Sequence, residues 1–179
     1  WGSWRRHKFA RVFDGLLCLF PFEPDYFVPL GLPSYFIGHP AAFDIQSRSP
    51  EKNPSTSPTR SPKIAILPGS RISEIKHILP VMLSAVELLK HAFPKAAFTL
   101  PAAPKLHSQI STICSGKPVK IVDGSTQLVP TLINCDAVMA ASGTVTLEAA
   151  LCGVPGVACY KAGWFSATFG RMIVDMQKV

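Results

Sequence analysis

No run in this 179-residue chain approaches the ~18 consecutive apolar residues that a membrane-spanning helix needs. The longest candidates, 15–20 and 149–160, suit buried strands or helix-to-strand turns. The start of the chain shows no charged region followed by a sustained apolar stretch, the pattern of a secretory signal. Charge is sparse at 16%, but apolar residues reach 47%, so wholesale disorder is excluded. Cysteine is also sparse: five stand at 18, 114, 135, 152 and 159, with no CxxC pair. A disulfide framework or a zinc site has no basis in that spacing, and the expectation is free, buried thiols in a reducing compartment. GxGxxG, GxxxxGK[ST] and HExxH are all missing. The common dehydrogenase, ATPase and zinc-hydrolase routes therefore lack their signatures.

Proline is plentiful, at 17, and the net charge is +7. None of that surplus lies in 1–44, where acids balance bases; it falls on 45–62 and 63–179. Basic surfaces favour anionic partners: nucleic acid, phosphate ligands or an acidic leaflet. No aromatic RNA-stacking motif or helix-turn-helix pattern is present, so nucleic acid is not expected as a partner. The chain opens at Trp1 without Met and is expected to be a fragment.

Composition divides the chain into three parts. Residues 1–44 are apolar and aromatic, with a basic cluster (Arg5, Arg6, His7, Lys8, Arg11) leading into a strand end over 12–20 and a short strand over 34–37. Residues 45–62 hold four prolines and five serines, without Val, Leu or Phe, and predict a linker or exposed loop. From Lys63 onward strands are predicted over 64–67, 97–100, 119–122, 137–141 and 156–160. Helices are predicted from Arg71 with Ser70 as cap, then over 80–93, 105–114, 127–134, 144–152 and 165–174. Strand and helix alternate, which predicts an α/β fold with a Rossmann-like open parallel sheet.

Two loops follow predicted strands at their carboxyl ends, where open α/β sheets bind ligands. In Leu67-Pro68-Gly69-Ser70-Arg71, Gly69 allows close backbone approach, Ser70 offers a hydroxyl and Arg71 a fork suited to phosphate. The amides of the turn after it are expected to point at an anion. In Ala141-Ser142-Gly143-Thr144, Ser142, Gly143 and Thr144 open a helix whose dipole favours phosphate. Glu148 stands one turn on, placed to accept ribose hydroxyls. Each loop also reads as a plain turn or cap; two in one sheet favour a nucleoside diphosphate. His39, between Gly38 and Pro40, is either a packed loop residue or an imidazole shown to a cleft. His77, His91 and His107 are expected on helix surfaces.

In order along the chain, Phe20-Pro21-Phe22-Glu23-Pro24, Phe36-Ile37-Gly38-His39-Pro40, Leu67-Pro68-Gly69-Ser70-Arg71 with Glu74, and Ala141-Ser142-Gly143-Thr144 with Thr146-Leu147-Glu148 resemble lipid-A-disaccharide synthase, a glycosyltransferase family of the two-domain GT-B fold. Trp1-Gly2 and Tyr160-Lys161 resemble its flanking segments. The resemblance implies transfer of 2,3-diacylglucosamine from its UDP derivative to 2,3-diacylglucosamine 1-phosphate, with inversion, release of UDP and neither metal nor cofactor. It implies that 1–44 end an acceptor-side domain and that 63–179 are most of a UDP-sugar domain. Gly69, Ser70, Arg71, Ser142, Gly143, Thr144 and Glu148 are then the UDP contacts, and Arg71 and His39 the catalytic candidates. Trp4, Arg5, Arg6 and Lys8 become contacts to an anionic inner-membrane surface in a Gram-negative cytoplasm.

The family's general base and acyl pocket are not found in this chain, which alone is expected to be inactive. Other readings are a different UDP-sugar GT-B enzyme, such as an epimerase or lipid II transferase, and a noncatalytic basic module that binds anions or membranes.

Overall fold

The computed structural model describes residues 5–48 and 61–160. They fall into two compact units, one holding 5–44 and the other 45–48 with 61–160. The predicted helix over 165–174 lies outside the described residues, as does Trp4.

The first unit begins with α1 (Arg5–Val12), then β1 (Leu16–Cys18), α2 (Pro24–Phe27), a 3-10 turn (Val28–Leu30) and β2 (Ser34–Phe36). β1 and β2 pair in parallel, Leu16 opposite Ser34 and Cys18 opposite Phe36. The strand expected over 12–20 is thus only three residues long, because the basic cluster is helical and carries Val12 with it. Phe9 and Phe13, four apart, meet edge to face at 5.5 Å and lock the end of that helix. The turn at Phe20-Pro21-Phe22-Glu23 is closed by one carboxylate. Glu23 Oε2 accepts from the N–H of Leu19 at 2.8 Å and of Phe20 at 2.9 Å. Burial, and then the charge of Glu23, pushes the Cys18 thiol up.

α3 (Pro40–Arg48) runs into the stretch where a linker was expected from residue 45, and Ile45 is buried in the core of the second unit. Proline in the first turn suits a helix start, a signal that the Gly-His-Pro reading passed over.

The second unit is a five-stranded, wholly parallel sheet. Its strands are β3 (Lys63–Leu67), β4 (Ala97–Ala102), β5 (Val119–Asp123), β6 (Ala137–Ala141) and β7 (Gly156–Cys159), in the order β5-β4-β3-β6-β7. Along β3, Ile64 and Ile66 enter one apolar cluster while Ala65 and Leu67 enter another. A strand buried on both faces reads as an unbroken apolar run, which is why Ile64-Ala65-Ile66-Leu67 was legible. α4 (Ile72–Ala92) and α5 (His107–Ile113) cover the first face; α6 (Gly124–Asn134) and α7 (Thr144–Leu151) cover the second. At the amino edge of the sheet, Asp136 Oδ2 accepts from the N–H of Lys63 at 2.8 Å, and the N–H of Asp136 donates back to the carbonyl of Lys63.

α4 corrects the sequence reading most. A short helix from Arg71 and another from Pro80 were expected; one helix of 21 residues spans both, with Pro80 inside. Proline deletes one helical hydrogen bond and costs roughly 3 kcal/mol in a helix interior. Ile75, Ile78, Leu79, Met82, Leu83 and Val86 form one buried stripe that crosses the proline without interruption, and this packing overrides the local preference. Pro80 itself faces solvent. Water can therefore satisfy the carbonyl it leaves unpaired.

The five cysteines form no disulfide; four are buried and Cys159 is half-buried. Burial pushes the Cys114 thiol up. His77, His91 and His107 are exposed, as expected.

Candidate functional site

The sheet order reverses direction between β3 and β6. Connections from β3 proceed to β4 and β5 on one side, and those from β6 to β7 on the other. The loops leaving these two central strands therefore diverge at their carboxyl ends and leave a crevice. A cavity of about 500 Å³ lies there. Its walls carry Gly69, Ser70, Arg71 and Glu74 from the loop after β3, and Ser142, Gly143, Thr144 and Glu148 from the loop and helix after β6. Arg71 and Glu148 thus line one cavity.

Among the described residues, three helices begin around this space, and each start leaves backbone N–H groups without helical partners. At α4 the cap residue is Arg71, not Ser70. Glu74, in the first turn, folds back so that Oε2 accepts from the N–H of Ser70 at 3.1 Å and of Arg71 at 3.3 Å. Its Oε1 accepts from Arg71 Nη1 at 3.1 Å. The fold-back needs Gly69. That residue sits at φ 105°, and a Cβ there would collide with the Glu74 carboxylate. The amides of Ser70 and Arg71, expected to face an anionic ligand, are therefore already occupied by an acid of the chain itself. The loop offers a ligand the Arg71 side chain, which is 79% exposed.

α6 is closed in a similar way. Asp123 Oδ1 accepts from the N–H of Ser125 at 2.9 Å and from its hydroxyl at 2.7 Å. Those two bonds, with a smaller pull from His107, hold the Asp123 carboxyl below its usual range. Gly124 packs so close to β4 that a Cβ would stand 3.0 Å from the Ala102 carbonyl carbon. The sequence reading missed this third wall, which adds Pro101, Ala103, Pro104, Gly124, Ser125 and Leu128. Its helix was expected to start three residues later, at 127. Asp-Gly-Ser directly after an apolar run is the signal that finds it.

α7 differs. Its cap residue is Gly143, which has no side chain to turn back on the amides. Thr146 donates from both its amide and its hydroxyl to the Gly143 carbonyl, at 3.1 and 2.6 Å, and so tightens the turn without covering the N–H groups that open the helix. The N–H of Ser142 donates to the Cys159 carbonyl at 2.9 Å and pins the loop to β7. Among the described residues, α7 is the helix start on this cavity that no carboxylate caps.

The remaining predicted residues that the structure describes belong to the first unit. His39 belongs to the first unit. Its Nδ1 accepts from the N–H of Ala41 at 3.1 Å, and its ring lies 5.8 Å from that of Phe20. With Nδ1 accepting, Nε2 is the ring nitrogen left to donate. Arg5, Arg6 and Lys8 are on α1; Arg5 and Lys8 are exposed and Arg6 is half-buried. Among the described residues, no group of three or more His, Cys, Asp or Glu could hold a metal ion, and no helix is long and apolar enough to cross a membrane.

A parallel α/β sheet with a cavity at its switch point, walled by an arginine loop and a helix start that no described carboxylate caps, is the architecture found in GT-B glycosyltransferases and epimerases. Solved structures of that shape match it. A UDP-GlcNAc 2-epimerase from Neisseria meningitidis, solved with UDP-GlcNAc, has a TM-score of 0.62 at 12% identity, over 90% of this chain and 48% of that one. TarM from S. aureus, solved with UDP among its ligands, has a TM-score of 0.52 at 15% identity, over 91% of this chain and 33% of that one.

The chain belongs to the lipid-A-disaccharide synthetase family, whose model matches residues 1–179. Among curated relatives, the lipid-A-disaccharide synthase of Anaeromyxobacter dehalogenans is 38% identical over 185 residues, covering 100% of this chain and 48% of the relative. That of Nitrosococcus oceani is 34% identical, covering 100% and 47%, and that of Burkholderia mallei is 37% identical, covering 96% and 45%. The chain spans about half the length of the curated relatives it matches.

Proposed function

We propose that this chain is the donor-binding part of a glycosyltransferase that moves 2,3-diacylglucosamine from its UDP derivative to 2,3-diacylglucosamine 1-phosphate, releasing UDP. Family membership supports the reaction, and one observation supports the site. Among the described residues, three helices start on a cavity at the sheet's switch point; α4 and α6 are closed by Glu74 and Asp123, while no described carboxylate caps α7, which suits an external anion.

In this reading the diphosphate rests on the amides that open α7 and on the Arg71 guanidinium. Both stabilise the charge that grows on the β-phosphate as the bond to the anomeric carbon breaks, and no metal is required. Glu148 accepts the ribose hydroxyls and so fixes the direction in which the sugar leaves the cavity. The apolar wall of Pro101, Pro104 and Leu128 receives the base. Residues 1–44 end the acceptor-side domain and 63–179 form most of the UDP-sugar domain. His39 acts as a hydrogen-bond donor, and the general base lies outside this chain, which does not turn over substrate alone. Both substrates are acylated, so the protein works at the cytoplasmic face of a Gram-negative inner membrane, with Arg5, Arg6 and Lys8 of α1 on anionic headgroups beside Trp4.

Titration of the chain with UDP tests the reading: saturable binding that persists with a magnesium chelator is expected. Binding to any polyanion, abolished by moderate salt, would instead mark a noncatalytic basic module. Glu148→Gln is expected to weaken UDP by about tenfold, the size of a charge-assisted hydrogen-bond pair. Deoxyribose UDP should lose the same amount against the unaltered chain. Equal affinity in both comparisons rejects the ribose contact.

A further inference from the structure

Glu74 is an acid in the wall of a cavity assigned to an anion. Among the described residues, the charged side chains of this wall are Arg71, Glu74 and Glu148. Simple electrostatic attraction does not explain its place. Its contacts do: one oxygen takes two backbone amides and the other takes the Arg71 guanidinium, the same pattern of donors that a phosphate would accept.

Resting on the diphosphate reading above, we infer that Glu74 is a stand-in anion: in the empty site it occupies Arg71, and an arriving phosphate takes the guanidinium from it. The geometry favours an easy exchange. The Arg71–Glu74 pair is exposed on the arginine side, 79% against 26% for the glutamate, and exposed pairs of this kind hold weakly. The two oxygens are also divided in function. Oε2 stays on the amides of Ser70 and Arg71 and keeps the loop shaped, while Oε1 can give up Nη1 without disturbing it. When the nucleotide leaves, Oε1 recovers the guanidinium. Glu74 thereby competes with the product for Arg71 and speeds its departure. It is a positioning residue, acting on the ligand through Arg71.

A residue that merely supported the loop would weaken the site when altered. The stand-in predicts the opposite for a change that removes the charge and keeps the oxygen. In Glu74→Gln the amide oxygen still accepts from the amides of Ser70 and Arg71, but the negative charge is gone. UDP is expected to bind about fivefold tighter, the scale of one unit charge removed from a solvated site a few ångströms away. Its dissociation rate should fall in the same proportion.

The experiment is calorimetry and stopped-flow with UDP on the full chain, comparing the unaltered protein, Glu74→Gln, Arg71→Ala and the double variant. In the Arg71→Ala background the added Glu74→Gln change is expected to gain less than twofold, since the arginine for which the acid competes is absent. Tighter binding and slower release that vanish with Arg71 establish the exchange. Weaker or unchanged UDP affinity in Glu74→Gln overturns it, and so does a gain of the same size with Arg71 already removed. A variant that folds poorly is read through the double variant against Arg71→Ala, by the same rule. Saturable UDP binding with one of these failures rejects the exchange alone; no saturable binding by the unaltered chain rejects the site and the exchange together.

Discussion

Arg71→Ala is expected to weaken UDP binding to the chain by about tenfold or more, and to slow transfer by about a hundredfold in a whole enzyme that contains this domain. The argument separates the site from the fold. Arg71 caps α4 through its backbone, and the Glu74 oxygen that closes the helix start bonds to the amides of Ser70 and Arg71, which alanine keeps. The lost side chain was largely in solvent and supported no core. Thermal stability should therefore stay close to that of the unaltered chain while affinity falls. Titration calorimetry checks the first effect, and turnover at saturating donor checks the second. An affinity equal to that of the unaltered chain would remove Arg71 from the donor site, and undiminished turnover would remove it from stabilising the leaving group.

Leu79→Ala is expected to produce the largest loss of stability, about 2–5 kcal/mol, which moves the urea midpoint of the chain down by roughly 1–2 M. Leu79 is 0% exposed and packs in the cluster that joins α4 to the first face of the sheet. It also immediately precedes Pro80. If the helix broke at the proline, Leu79 would sit in a frayed end and its truncation would cost little. A large effect therefore measures continuity of the helix across a residue that disfavours it. A loss below about 1 kcal/mol would show that the buried stripe does not hold the two halves together.

This helix also shows where sequence patterns stop being informative. The strands at the centre of the second unit were legible because burial on both faces leaves an unmixed apolar run, as in Ile64–Leu67 and Ala137–Ala141. Proline at position 80 carries a local signal for a helix start, and nothing within a few residues reveals that Ile75 and Val86 share one face of a sheet. The same holds at the site. Arg71 and Glu148 could be placed on one rim because both follow strands of a parallel sheet, where carboxyl ends point the same way. That Glu74 takes the amides of Ser70 and Arg71 depends on a backbone angle at Gly69, and that Gly124 joins the wall depends on its contact with Ala102. Those are tertiary facts. In residues 5–44 the basic cluster was read as preceding a strand because its helix presents no apolar face; none of its residues is buried.

The strand order carries a consequence for how the molecule assembles. β3 is the earliest strand of its sheet in the chain and lies at its centre, so growth proceeds outward from it. Its pairing with β4 starts at Lys63 and Ala97, while its pairing with β6, from Ile64 and Ala137 to Leu67 and Ala140, spans a far longer stretch of chain. Closing the longer loop costs more entropy, by about 0.6 kcal/mol for each doubling of length. During synthesis the half built on β3, β4 and β5 is complete before β6 leaves the ribosome, so the β3–β6 seam closes after the β3–β4 and β4–β5 ones. The crevice lies over that seam, with Arg71 on the early half and Thr144 on the late one. An occupant that touches both acts as a clasp across the seam where the early and late halves of the sheet meet.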